Sequence, residues 1–192
     1  MRTAVAIASG PSLTQQDVDY CRHKKATVAT VNTSFRLAPW ADIHYSNDHD
    51  WYQTYIEELI KNPARKICGH PDYRHPAVET IAYDRDLIGI NLESDFLCWN
   101  ANSGGALIDL LAKLGHEKII LLGFDFSWDG DKSHHHGDHP KHLQHRKPGF
   151  HRWVPYFKRI HEDSIALGID VVNCTRRTEL PFFRRAELEA EL

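Results

Sequence analysis

The chain alternates short apolar runs with segments whose apolar residues recur at helical spacing. Residues 3–8 are apolar enough to be buried on both faces, as a strand of a parallel sheet is, and they empty into Ser9, Gly10, Pro11 and Ser12. Thr14 with Asp17 three residues on predicts a capping box that opens a helix to Arg22. Residues 26–31 predict a second buried strand ending at Asn32, and residues 42–46 a third ending at Asn47 and Asp48. Trp51, Tyr52, Tyr55, Ile56, Leu59 and Ile60 lie on one helical face, which Pro63 ends. Residues 65–69 and 78–83 predict short strands, while periodicity over residues 70–100 is weak. The pattern then sharpens. Asn102, Ser103, Gly104 and Gly105 lead into a helix over 106–114 with Gly115 at its C′ position. A buried strand over 118–122 runs out into Gly123, Phe124 and Asp125. After a polar stretch over 127–149 come a helix over 151–167, a strand over 169–173 and a short charged helix over 184–192. Strand–helix alternation with short links predicts one α/β domain over residues 1–192: a Rossmann-like, mostly parallel sheet with helices on both faces.

Composition narrows the function classes. No apolar run approaches the roughly 20 residues that cross a bilayer, and the start lacks the basic flank and cleavage site of a secretory signal, so a cytoplasmic protein without a membrane partner is expected. Cys21, Cys68, Cys98 and Cys174 are scattered and form no C-x-x-C pair, which predicts buried, reduced thiols. A formal charge of −3 argues against nucleic-acid binding driven by a positive field. The 14 histidines are the anomaly, and the 127–149 segment carries many of them.

In open α/β sheets ligands bind outside the carboxyl ends of the strands. Ser9, Gly10, Pro11, Ser12, Asn32, Asn47, Asp48 and Asp125 all follow predicted strands on that edge, and Asn and Ser can hydrogen-bond a ribose, a base edge or phosphate oxygens without adding charge. Taken singly, each is equally suited to a turn. Asn102, Ser103 and Gly104 sit at a helix start, where free N–H groups can hold an anion or an Asn can simply cap. Neither glycine cluster is G-x-G-x-x-G or a Walker loop, which argues against a dinucleotide dehydrogenase or a P-loop kinase. The run His134, His136, Asp138, His139 is similar to the metal-ligand run of metallo-β-lactamase-type hydrolases, yet only 53 residues follow His139, too few for the further ligands of that fold. A binuclear zinc hydrolase is therefore not expected, and zinc is not the expected cofactor; a single metal on those four residues stays open. The other use of the segment is a loop with Lys132, Lys141, Arg146, Lys147 and Arg152 that closes over a phosphate-rich donor. His151, where this loop meets the next helix, is a candidate general base for an acceptor hydroxyl.

Together, residues 8–13, Val31 with Asn32, Asn102-Ser103-Gly104, and the run from Ala112 through Gly115 to Ile119, Gly123 and Asp125 resemble the sialyltransferase-like fold. That fold is shared by bacterial family-42 sialyltransferases and archaeal 6-hydroxymethylpterin diphosphokinase-like proteins, and is often met in phage genomes, which would place the chain in a host cytoplasm. The resemblance covers most of the chain. It implies a cytidine-nucleotide sugar donor on Gly10, Ser12, Asn32, Asn47, Ser103 and Gly104, with His151 as base and inverting transfer to a small-molecule acceptor hydroxyl. The tyrosines that hold the donor phosphate in those enzymes are replaced by Ser127, Trp128 and the His-rich loop, so phosphate handling passes to His135, His136, His139 or a metal. The diphosphokinase-like branch implies instead pyrophosphoryl transfer from ATP with Mg²⁺ on Asp48 or Asp125. A nucleotide- or metal-binding module without catalysis is the third reading. Neither a nucleic-acid partner nor a membrane is expected, and self-association into a homo-oligomer stays open.

Overall fold

Eight strands, all parallel, form the central sheet of the computed structural model, which describes residues 1–137, 139–143 and 149–192. From β1 (Thr3–Ile7) the chain passes through α1 (Gln15–Cys21) to β2 (Thr27–Val31) and β3 (Ile43–Ser46). It continues through α2 (His49–Leu59) to β4 (Arg65–Cys68) and β5 (Glu79–Thr80), each strand laid outside the last. A separate two-stranded ribbon, β6 (Tyr83–Asp84) with β7 (Leu97–Cys98), precedes α3 (Ser103–Lys113). The chain then returns to the other side of β1 with β8 (Lys118–Leu122), α4 (Val154–Leu167), β9 (Asp170–Asn173), β10 (Arg184–Arg185) and α5 (Leu188–Glu191). The winding reverses between β1 and β8, paired from Thr3 with Lys118 to Ile7 with Leu122. Such a switch point is where a doubly wound sheet opens a crevice for ligand.

The central strands are buried on both faces because helices cover both. Ala4, Ala6, Ile119 and Leu121 pack in one cluster with Leu107 and Leu111 of α3 and Phe157 and Ile160 of α4. Val5, Ile7, Ile120 and Leu122 point the other way, against Val18, Cys21 and Leu188. An aromatic cluster of Phe35, Trp51, Tyr52 and Tyr55 holds α2 beside them. Every residue of α3 from Gly104 to Ala112 is buried, as expected of a helix apolar on all sides. Its one buried charge, Asp109, accepts from the backbone N–H groups of Asn91 (2.9 Å) and Cys98 (2.8 Å) and so ties the 84–98 crossing to the core. All four cysteines are free and buried.

Local chemistry accounts for the boundaries. Thr14 and Asp17 make the reciprocal capping box read from the sequence. The helix expected from residue 151 instead begins at Val154, after a 3-10 turn over Phe150–Arg152, because Pro155 lacks an N–H and fits only a first turn. The 184–192 segment is not one helix: Arg184–Arg185 pairs with β9, and only Leu188–Glu191 is helical. Arg184 reaches across to Asp170 and Glu191, which fixes that strand-like start.

Candidate functional site

The carboxyl ends of β1, β2, β3 and β8 and the start of α3 meet in a cleft of about 760 Å³. Its floor begins at the switch point. The N–H of Gly10 donates to the Gly123 carbonyl (2.8 Å), and the buried Asp125 accepts from the Ser12 N–H (2.8 Å). A side chain at position 10 would collide with Asp125 Oδ1 at 1.9 Å, so this turn requires glycine. Burial raises the pKa of Asp125, and its Oδ1 has no partner among the described residues. Asp125 thus braces the turn from beneath instead of presenting a free carboxylate to a ligand.

Asn32 starts a 3-10 turn with φ +51°, a conformation Asn tolerates better than most residues, and lines the cleft. Its Oδ1 is enclosed and has no partner among the described residues. Ser9 lines the cleft while its hydroxyl lies 2.9 Å from Ser34 Oγ. Pro11, Ser103 and Gly104 line it too. The walls are aromatic: Trp51, Trp99, Phe126, Trp128, Phe150 and Trp153.

Several residues expected to touch ligand are occupied by the fold. Asn102 caps α3, its Oδ1 accepting from the N–H groups of Gly104 (2.8 Å) and Gly105 (3.2 Å), so those two donors are not available to an anion. Asp48 caps α2 through Asp50 and Trp51, although it still borders the cleft. Asn47 accepts a very short hydrogen bond from Tyr45, and its amide donates to the Trp99 carbonyl (3.2 Å). Its N–H donates to Ser103 Oγ (3.0 Å), so it stitches β3 to the α3 start and does not line the cleft. Ser12 also lies outside the lining.

The His-rich loop is anchored over the cleft. The His135 N–H donates to the Ser9 carbonyl (3.0 Å), and His135 Nε2 lies 3.3 Å from Ser34 Oγ. Because the Ser34 hydroxyl donates to the Ala8 carbonyl (2.9 Å), His135 must donate through Nε2. Burial holds the His135 pKa down to about 4, so at neutral pH it is an uncharged tether, and any part it takes in phosphate handling is as a neutral imidazole. His136 is held down to about 3, chiefly by burial and then by its neighbours His134, His139 and His135, and it too is neutral. His142 Nε2 lies 2.9 Å from Thr54 Oγ1 of α2, and Leu143 is buried in the α2 cluster. His134 and His139 line the cleft. Asp138, Arg146 and Lys147 lie outside the described residues. His151 is exposed on the turn before α4 and is not in the lining, whereas its neighbours Phe150 and Arg152 are.

Sequence reasoning missed the aromatic walls. Trp99 falls in the weakly periodic stretch, and Trp128 and Trp153 flank the loop, positions where a lone aromatic residue reads equally as core. Asp131 and Arg152 also border the cleft, so among the described residues its charged lining is Asp48, Asp125, Asp131 and Arg152. Compared with known proteins, the chain matches no family profile, no curated protein and no solved structure.

Proposed function

We propose that the chain is a transferase that takes a nucleotide-activated donor in this cleft, most simply a nucleotide-sugar-dependent glycosyltransferase of sialyltransferase-like type. The carrying observation is the convergence at the switch point: Ser9, Gly10, Asn32, Ser103 and Gly104 border one aromatic-walled cleft. Flat aromatic faces suit a nucleobase or a sugar ring, and the enclosed Asn32 Oδ1 suits a donor such as an exocyclic amine or ribose hydroxyl. A volume of about 760 Å³ lies within the roughly 300–1,000 Å³ of small-molecule sites. The acceptor arrives from solvent at the loop rim. There His151 would take the proton of the acceptor hydroxyl as the oxygen bonds to the sugar carbon and the bond from that carbon to the donor phosphate breaks, with inversion.

A second reading draws on Asp48 and Asp131, which border the same cleft and are of the chemistry that holds Mg²⁺ against the phosphates of ATP. Asp125 does not fit that role, since its Oδ2 is held by Ser12 and its Oδ1 is enclosed beneath Gly10. A melting-temperature panel of CMP, UDP, GDP and ATP with Mg²⁺ separates the readings. A nucleotide at 100 times its dissociation constant adds about 2.7 kcal/mol, which is about 5–10 °C for a chain of this length. Stabilisation by CMP supports the glycosyltransferase, and stabilisation by ATP with Mg²⁺ alone replaces it with the pyrophosphoryl transferase.

A further inference from the structure

Three of the histidines in the loop face one another. The rings of His134 and His136 are stacked with centroids 5.0 Å apart, and His139 stands edge-on to both, at 4.9 and 4.7 Å. One ring nitrogen from each can be chosen so that all three lie within 4.8 Å of one another. Such a cluster gains little from packing as a core, since His136 and His139 each enclose a polar nitrogen. His136 Nε2 is enclosed and has no hydrogen-bond partner among the described residues, which costs about 1–3 kcal/mol if nothing binds there.

We propose that His134, His136 and His139 bind one divalent transition-metal ion of the zinc class at the edge of the cleft. Four-coordinate zinc takes histidine nitrogens at about 2.0–2.1 Å, so any two of them stand about 3.3–3.4 Å apart, and the three ring nitrogens, now within 4.8 Å of one another, draw together to bind it. The supporting contacts are of the kind such sites use. His134 Nδ1 lies 2.8 Å from Ser133 Oγ, a contact that orients the ring. His135 lies between two of the ligands in sequence and is pinned to Ser9 and Ser34, which holds this part of the loop against the sheet edge. Three neutral imidazoles favour zinc, cobalt, nickel or copper over magnesium or calcium, which prefer oxygen.

Three protein ligands leave a position for water or substrate, and His134 and His139 both border the cleft. Where the nucleotide reading holds, a dication here would offset Asp48 and Asp131 and let the lining accept a phosphate. The metal site itself rests only on the loop.

Untagged protein, stripped with a chelator, is titrated with Zn²⁺ and separately with Co²⁺ in the absence of nucleotide. One ion per chain is expected, with the visible spectrum of a low-coordinate Co²⁺ site. His136→Ala and His139→Ala abolish that stoichiometric uptake, and Ser133→Ala weakens it by about 10–100-fold. His23→Ala, an exposed histidine just after α1, leaves it unchanged. Circular dichroism of the stripped variants reports folding, and if His136→Ala does not fold, His139→Gln carries the test. Absence of a saturable ion overturns the site, as does weak binding that His136→Ala and His139→Ala leave intact. Because nucleotide is absent, failure here is distinct from failure of the donor panel.

Discussion

A methyl group on Gly10 would lie 1.9 Å from Asp125 Oδ1 and 2.5 Å from the Gly123 carbonyl oxygen, neither of which can retreat without opening the β1–β8 edge. Gly10→Ala is therefore expected to lower the melting temperature and to abolish nucleotide binding together. Asp125→Ala leaves the Ser12 N–H without its acceptor and costs about 1–3 kcal/mol by urea unfolding, while Asp125→Asn, which keeps an acceptor oxygen, costs less. His151→Ala is expected to lose turnover and keep nucleotide affinity; an unchanged rate would remove His151 as the base. Single residues were the hardest part of the site to read from sequence. Asn102 and Asp48 proved to be helix caps and Asn47 a structural tie, because accepting a backbone N–H and accepting a ligand's N–H ask for the same side chains. Asn32, of identical chemistry, is left with an enclosed oxygen by the fold around it.

Among the elements, the six long strands and the first three helices were legible because their apolar periodicity is strong and their ends carry caps. The ribbon of β6 and β7 was not: two-residue strands have no period, and their place is set by side chains from afar. Asp109 holds Asn91 and Cys98, and Asn100 bonds both backbone groups of Gly89. In β3, His44 is fully buried against Phe35, Trp51 and Tyr52, with Nδ1 3.1 Å from Thr30 Oγ1. Burial holds its pKa down to about 3. The unfolded chain takes up that proton near pH 6.5, so the stability His44 contributes is complete above that pH and is lost as pH falls toward 3. Between pH 6.5 and 5 the loss is about 2 kcal/mol. Urea unfolding at the two pH values should show that slope, and His44→Gln should reduce it; an equal slope in the variant would contradict the account of His44.

For the whole molecule, the doubly wound sheet decides where chemistry can happen. Its strand order puts the β1 turn, Asn32, the α3 start and Asp125 on one edge although they are far apart in sequence. That convergence was readable from the strand ends alone. The placement of the loop was not, since it depends on His135 finding Ser34 and on His142 and Leu143 finding α2 and the aromatic cluster beside it. A smaller hollow of about 340 Å³, lined by His70, Tyr83, Arg85 and Phe96, lies elsewhere on the surface and offers the rival location for a ligand. Hydrogen–deuterium exchange with and without the nucleotide that most raises the melting temperature distinguishes the two. Protection of residues 8–12, 31–34, 101–105 and 123–128 is the result expected of a donor cleft at the switch point. Protection confined to residues 70–73 and 83–96, or none with any nucleotide, would contradict it.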